Sequence, residues 1–592
     1  MKVHDKLLLH TVDDFYYVQP LSYEVSTIDS REILALNRLT GEVSTLPSTE
    51  QIPVNAAQRT IYGVAGIIHL IAGNYLIVIS KRRMLGQINQ QPIYRAEEFE
   101  VLPFSRNTFH LNELQKRLND WYLEMVWSIL RTPYFYFSYS YDLTHTTQRL
   151  NNTSNEFLAM PLHERADMRF VWNQYLLEPI RAHPFFCLPL MMGFVSITPC
   201  RIESHNFTWT LISRRSWLRA GPRLQVRGAD KKGNVANYVE TEQIVEYRTS
   251  GSSFVQTRGS IPLFWTQNPD LRYKPSPTLQ PGDHSVAFRD HVKSETFLYG
   301  EVIFVNLVDQ RGSEGRLEKE MRSMAENMKN CKYYAFDFHK ECAKMQWHRL
   351  SILLHKLEKD VAAHSYFLLK NGLRTKVQVG VVRTNCIDCL DRTNVVQSLL
   401  ARRNLQLVFE ELEIWNRKFA QHDPTEEFPD DVFEKTFRAI WADNADMISV
   451  QYSGTGALKT DFTRTGKRTY WGLLQDGVNS AKRYYLNNFS DGTRLDAHDV
   501  FLGNYRVEDG EGITLRSPLV QPTRLKLVLL PTVFAVALAM FILTLVFSEE
   551  YSSQTSLSLF MWLFIATTTA AVILRDGTEF VDNPRLAKLK ED

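Results

Sequence analysis

Two runs near the C-terminus dominate the hydropathy pattern. Leu527–Phe547 and Leu557–Leu574 contain no charged residue, and each can cross a hydrocarbon core of ~30 Å as a helix. Pro531, near the start of the first, is tolerated in a membrane helix. Arg524 and Lys526 precede the pair, and Arg575, Arg585, Lys588 and Lys590 follow it. The connecting Ser548–Ser556 holds Glu549 and Glu550 but no lysine or arginine. This bias predicts a hairpin of two transmembrane helices with both ends of the chain in the cytosol. Two other apolar stretches have a different pattern. Ile61–Ile79 is broken by Gly63, Gly66, His69 and Gly73-Asn74, and reads as two buried strands turning at Gly-Asn. Pro184–Cys200 contains Pro189 and Pro199 and is too short to span.

In the remainder, Glu32–Leu36 and Tyr75–Ser80 have strand character, and Leu111–Ile129 has helical spacing. Arg272–Asp283 (RYKPSPTLQPGD) predicts a proline-rich surface loop, His422–Asp431 (HDPTEEFPDD) an acidic solvated one, and Arg506–Thr523 a polar linker. The expected organisation is an N-terminal β-rich unit over 1–182, an α/β unit over 183–505, a linker over 506–524, the membrane hairpin over 525–575 and a cytosolic tail over 576–592.

Composition narrows the function classes. Apolar residues make up 44% and charged residues 23% of the 592, which excludes a mostly disordered or fibrous chain. Lys plus Arg is 68 and Asp plus Glu is 66, so any anion-binding site is local. Six cysteines are too few for a disulfide scaffold and fit a reducing compartment. Met1–Pro20 has no signal-peptide core.

The chemistry concentrates in Lys376–Arg402. Val377–Val382 is an apolar run suited to a buried strand, and Val395–Glu411 has helical spacing. Between them lies Arg383-Thr384-Asn385-Cys386-Ile387-Asp388-Cys389-Leu390-Asp391-Arg392-Thr393-Asn394, so Cys386 and Arg392 form a Cys-x5-Arg pair in a strand–loop–helix turn. Such a loop aims successive backbone N–H groups at one anion, and the helix adds its positive end. Arg392 offers a planar donor fork for phosphate oxygens. The same field favours a thiolate at Cys386, which can attack phosphorus and form a phosphocysteine. Thr393 is placed to hydrogen-bond the departing sulfur, and Asp388 and Asp391 are the candidates for protonating the leaving alkoxide. Cys386-x-x-Cys389 is a poor half zinc site, because Cys331, His339 and Cys342 supply no second pair. It is a poor redox pair because two aspartates oppose thiolate formation. A reversible Cys386–Cys389 disulfide that protects the nucleophile remains open.

RTNCIDCLDRTN closely resembles the signature of the Sac-domain phosphoinositide phosphatases. SRRSWLRAGPR (Ser213–Arg223), SFVQTRGSIPLFW (Ser253–Trp265), FDFH (Phe336–His339) and ALKTDFTRTGKRT (Ala457–Thr469) are similar to further family blocks. With the hairpin and the tail Lys588-Leu589-Lys590-Glu591-Asp592, the chain resembles the membrane-anchored members of endoplasmic reticulum and Golgi throughout its length. The resemblance implies an α/β catalytic domain of the Cys-x5-Arg phosphatase type, a β-rich N-terminal Sac domain and catalysis without a metal or cofactor. It implies a phosphoinositide monophosphate as substrate, chiefly phosphatidylinositol 4-phosphate, with the 3-phosphate lipid as a lesser one. Cys386 would be the nucleophile, Arg392 the phosphate binder, and Asp388 the first choice of acid before Asp391. Asn385, Ile387, Cys389, Leu390 and Thr393 would complete the phosphate loop.

Lys459, Arg464, Lys467 and Arg468, punctuated by Gly454, Gly456 and Gly466, are expected to face inositol phosphate and membrane. Arg219, Arg223 and Arg258 are further basic candidates. The tail matches a K-x-K-x-x dilysine signal read by the coatomer coat, which places the protein in the endoplasmic reticulum membrane, cycling to the Golgi. Lipid-transfer proteins at organelle contacts are possible partners. The competing readings are a protein tyrosine or dual-specificity phosphatase sharing the loop, and a catalytically silent phosphoinositide-binding scaffold.

Overall fold

The apolar run at Ile61–Ile79 does fold as a hairpin. Val64–Leu70 pairs antiparallel with Gly73–Ile88. The turn falls on Ile71-Ala72, two residues before the expected Gly73-Asn74, because Gly73 and Asn74 already pair with Leu70 and His69. This hairpin belongs to a large mixed sheet in a computed structural model that describes residues 2–21, 32–46, 51–329, 331–343, 346–415, 426–520, 524–548 and 552–586. Glu549, Glu550, residues 422–425 of the acidic loop and the dilysine residues Lys588 and Lys590 lie outside the described residues.

A small antiparallel sheet near the N-terminus is built from Leu7–Thr11, Phe15–Pro20, Leu34–Asn37, Val43–Thr45 and Ala57–Ile61. The large sheet runs from Val64–Leu70 through Gly73–Ile88, Gln91–Pro103 and Phe135–Phe137 to Met191–Ile202, His205–Arg215, Val239–Tyr247 and Ser250–Arg258. It then turns parallel: Gly380–Asn385 lies between Ser250–Arg258 and Glu301–Asn306, and Cys331–Ala335 forms the edge. The boundary expected at 182/183 therefore falls inside one continuous sheet, where Tyr136 and Phe135 pair with Met191 and Met192.

The strand leading to the signature is Gly380–Asn385, three residues later than Val377–Val382. All six positions are buried although half are polar. Arg383 is accommodated by donating to the carbonyls of Gly259 (2.7 Å), Ser260 (2.7 Å) and Thr384 (2.9 Å), which satisfies a buried polar group that apolar patterning cannot anticipate.

Helix Glu113–Leu130 starts at a capping box formed by Asn112 and Gln115. The polar stretch after residue 505 is not a free linker. Gln115 donates to the Glu511 carbonyl (3.2 Å), the Tyr122 hydroxyl donates to the Glu511 carboxylate (2.7 Å), and Leu519 is buried with that helix. Leu525–Phe547 and Ser553–Arg575 are the two C-terminal helices, each with 23 residues. Both are apolar and mostly exposed, long enough to cross a membrane. After them the chain returns to the α/β unit. The Asp582 N–H donates to the Asn488 carbonyl (2.7 Å), the Asp496 carboxylate accepts from the N–H groups of Arg585 and Leu586, and Leu586 is buried.

Candidate active site

Cys386 follows directly on the last residue of the buried strand, and helix Asp391–Glu411 begins five residues later. The helix thus starts inside the signature, earlier than the expected Val395, with Asp391, Arg392 and Thr393 in its first turn. Leu390 at its N-cap has no capping side chain. The first-turn N–H groups are left facing the loop, and the helix dipole favours an anion there. Within the loop, Cys389 adopts φ +54°, a conformation uncommon outside glycine. It turns the Cys389 N–H onto the Cys386 sulfur, 3.0 Å away.

Cys386 is 2% exposed at the floor of a cleft of 620 Å³ that also contains Asp388, Asp391 and Arg392. Burial pushes its thiol up, but hydrogen bonding with Cys389 and the Arg392 charge outweigh this and bring it down to about 7. Arg392 donates to the Leu307 carbonyl (2.9 Å) and to Glu314 (3.3 and 3.5 Å), with Asp309 at 3.7 Å. These contacts fix the guanidinium at the cleft wall.

The surroundings of the two aspartates act in opposite directions. Asp388 accepts from Arg223 (3.0 Å) and Arg227 (2.6 Å). Burial raises its carboxyl, but the two guanidinium groups reverse this and hold it well below the usual carboxylate range. Asp391 is raised, chiefly by burial and against the pull of Arg483, and accepts one hydrogen bond from the Leu458 N–H (3.2 Å). Of the two, Asp391 is the carboxyl whose surroundings favour the protonated form.

Other expected residues divide between cleft and core. Ile387 lines the cleft. Asn385 is buried and donates to Asn306. Leu390 packs with Val239, Ile448 and Tyr452. The Cys389 thiol donates to the carbonyls of Gly259 (2.8 Å) and Cys386 (3.2 Å). Thr393 is fully buried and donates to the Leu390 carbonyl (3.0 Å), so its hydroxyl braces the helix start and is not turned to the sulfur. In the basic run, only Lys459 lines the cleft. Arg464 is paired with Asp443 (2.8 Å), and Arg468 with Asp461 and Asp476. Lys467 is exposed outside the cleft. Arg219 donates to the backbone carbonyls of Arg227 and Gly228.

Three cations in the cleft were not evident from the sequence: Arg227, Lys274 and Arg483. Arg227 lies four residues past a recognisable block, Lys274 lies in the stretch read as a proline-rich surface loop, and Arg483 sits on a helix with no motif. With Arg223, Arg392 and Lys459 they give the cleft an excess of positive charge over Glu314, Asp388 and Asp391. A second cavity of 460 Å³, lined by Ser140, Asp142, Arg165 and Phe367 among others, contains no signature residue.

Arg258 lies beneath the loop at the end of its strand, paired with Thr384. It is fully buried, and among the described residues none of its three guanidinium nitrogens has a hydrogen-bond partner. Burial lowers it to about 10, opposed by Cys389, Cys386 and Asp391. Its charge is therefore available to Cys386. Arg258→Met should slow alkylation of Cys386 by iodoacetamide at neutral pH about tenfold, one decade of thiolate population. The melting temperature should hold or rise, because an unpaired buried charge is removed. An unchanged alkylation rate would assign Arg258 to packing alone.

The fold thus brings Cys386 and Arg392 into one cleft at the uncapped start of a helix. A family profile described as the SacI homology domain matches residues 62–343. The zebrafish protein named phosphatidylinositol-3-phosphatase SAC1-A is 44% identical over 99% of this chain and 98% of its own length. The fruit-fly phosphatidylinositol-3-phosphatase SAC1 is 44% identical over 96% of both chains. The Arabidopsis phosphoinositide phosphatase SAC7 is 36% identical over 99% of this chain and 98% of its own. The chain belongs to the Sac family.

Proposed function

We propose that this protein is a membrane-anchored phosphoinositide phosphatase, hydrolysing phosphatidylinositol 4-phosphate and, less efficiently, the 3-phosphate lipid. The observation that carries the reading is the lowered Cys386 thiol in one cleft with Arg392, at the uncapped start of a helix. The names of the relatives support a phosphoinositide substrate. The anion is drawn in by the cationic wall and bound by loop N–H groups and Arg392. The Cys386 thiolate attacks phosphorus, the P–O bond to inositol breaks, and Asp391 gives its proton to the departing oxygen. Water then attacks the phosphocysteine, Asp391 takes a proton from it, and inorganic phosphate leaves as the thiolate is regenerated. Asp388, held ionised by Arg223 and Arg227, keeps those cations in place. Both ends of the chain lie in the cytosol, the protein resides in the endoplasmic reticulum membrane and cycles to the Golgi, and Lys588 and Lys590 are read by coatomer.

The full chain in phosphatidylcholine vesicles carrying one phosphoinositide at a time tests this. Phosphate release should be fastest with the 4-phosphate, slower with the 3-phosphate, and insensitive to EDTA. Turnover of phosphotyrosyl peptides with none of either lipid would overturn it.

A further inference from the structure

Helix Tyr470–Phe489 is built inside out. Trp471, Leu474, Val478, Tyr485 and Phe489 recur at helical spacing on its outer face, where Trp471 is 74%, Leu474 59%, Val478 55% and Tyr485 60% exposed. Its inner face is polar: Arg483, Asn487 and Asn488 are buried, and Ser480, Arg483, Tyr484 and Asn487 line the catalytic cleft. A surface helix of a water-surrounded domain has the opposite arrangement, and an apolar aromatic face of this length marks an interaction surface.

The fold says which partner covers it. The end of the helix is tied to the chain just after the second apolar helix: the Asp582 N–H donates to the Asn488 carbonyl (2.7 Å), seven residues past Arg575. The Tyr484 hydroxyl donates to the Leu271 carbonyl (2.8 Å). The neighbouring Asp270 carbonyl is packed so closely on Gly577 that a Cβ there would come within 2.2 Å of it. The C-terminal end of this helix therefore lies beside the point where the chain leaves the second apolar helix. Its charged rim is cationic, with Lys467 and Lys482 exposed, whereas the nearby Asp461 and Asp476 are turned to Arg468.

We propose that the outer face of this helix lies in the headgroup layer of the bilayer that carries the two C-terminal helices, so that the cleft behind it opens to lipids of that same membrane. Trp, Tyr and Leu on one face with lysines at the rim is the composition of an interfacial helix. Seating it there restricts the catalytic unit to one orientation and raises the effective substrate concentration. The inference rests on the phosphoinositide reading above only for its catalytic consequence, since membrane contact can be measured without turnover.

The test uses the full chain in nanodiscs containing phosphatidylserine and phosphatidylinositol 4-phosphate. Photo-crosslinking p-benzoylphenylalanine at Leu474 or Val478 should give lipid adducts, and the same group at the fully exposed Val54 should give none. The triple variant W471S/L474S/V478S should lose about tenfold in turnover of the long-chain lipid while hydrolysing a water-soluble short-chain analogue at the parent rate. Protein adducts without lipid adducts, or equal losses on both substrates, would overturn the proposal. Absence of turnover in the parent protein with lipid adducts intact would sink the catalytic reading and leave the membrane contact standing.

Discussion

Cys386→Ser is expected to abolish phosphate release from phosphoinositide vesicles, by at least about 10³-fold, with substrate binding retained. The reasoning is electrostatic. Hydrogen bonding from the Cys389 side chain, the Arg392 charge and the Cys389 N–H stabilise a thiolate against the penalty of burial. A serine hydroxyl in the same place has no accessible anion at neutral pH, and the groups hydrogen-bonded to the sulfur, the Cys389 N–H and thiol, are donors and not bases. The loop N–H groups and Arg392 are untouched by the change, so the variant should still bind inositol phosphate and compete for vesicles. Residual turnover near the parent rate would remove the nucleophile from the scheme.

The second large effect separates the two aspartates. Asp391→Asn should lower turnover of lipid about 10²–10⁴-fold, the usual range for a lost general acid. On an aryl phosphate, whose leaving group departs without protonation, the first-turnover burst of phenolate should slow less than about tenfold, while the later hydrolysis of the phosphocysteine slows because its base is gone. The pH profile gives the sign. Turnover needs Cys386 ionised and Asp391 protonated. Cys386 is lowered to about 7 and Asp391 is raised from the ordinary Asp value, so the parent profile is a bell centred on the acid side of neutrality. Asp391→Asn removes the descending limb, and its residual rate climbs through about 7 with Cys386 ionisation and levels off. Asp388→Asn should act differently, raising KM and lowering the melting temperature, because Arg223 and Arg227 lose their shared partner. Its bell should persist. A lost descending limb in Asp388→Asn, with the limb intact in Asp391→Asn, would exchange the roles.

How much of this was legible in the sequence depends on whether a residue's role is set locally. The strand–loop–helix around Cys386 follows from apolar patterning and spacing, and the two C-terminal helices from length and absence of charge. The strand's true extent was hidden because Arg383, Thr384 and Asn385 are polar and buried, and their partners Gly259, Ser260 and Asn306 are remote in sequence. The helix start was hidden because Asp391 and Arg392 are charged residues in a first turn without a capping side chain. The choice between Asp388 and Asp391 rests on which one Arg223 and Arg227 reach, more than 150 positions away in the chain. The basic run shows the converse error: a cluster of cations gives charge but not direction, and Arg464 and Arg468 are held by aspartates from neighbouring elements. Helix Tyr470–Phe489 has clear periodicity, yet periodicity alone cannot say that its apolar side faces outward.

The most direct test of the central claim is to trap the covalent intermediate. Full-length protein in vesicles of phosphatidylinositol 4-phosphate, quenched in acid within the first turnover and digested for mass spectrometry, should show one phosphoryl group on the peptide containing Cys386. Asp391→Asn should show less of it at the same time point on lipid and at least the parent amount on an aryl phosphate, because the variant also lacks the base for its hydrolysis. A parent enzyme that releases phosphate at full rate with Cys386 unmodified, or with the phosphoryl group on another residue, would contradict the account.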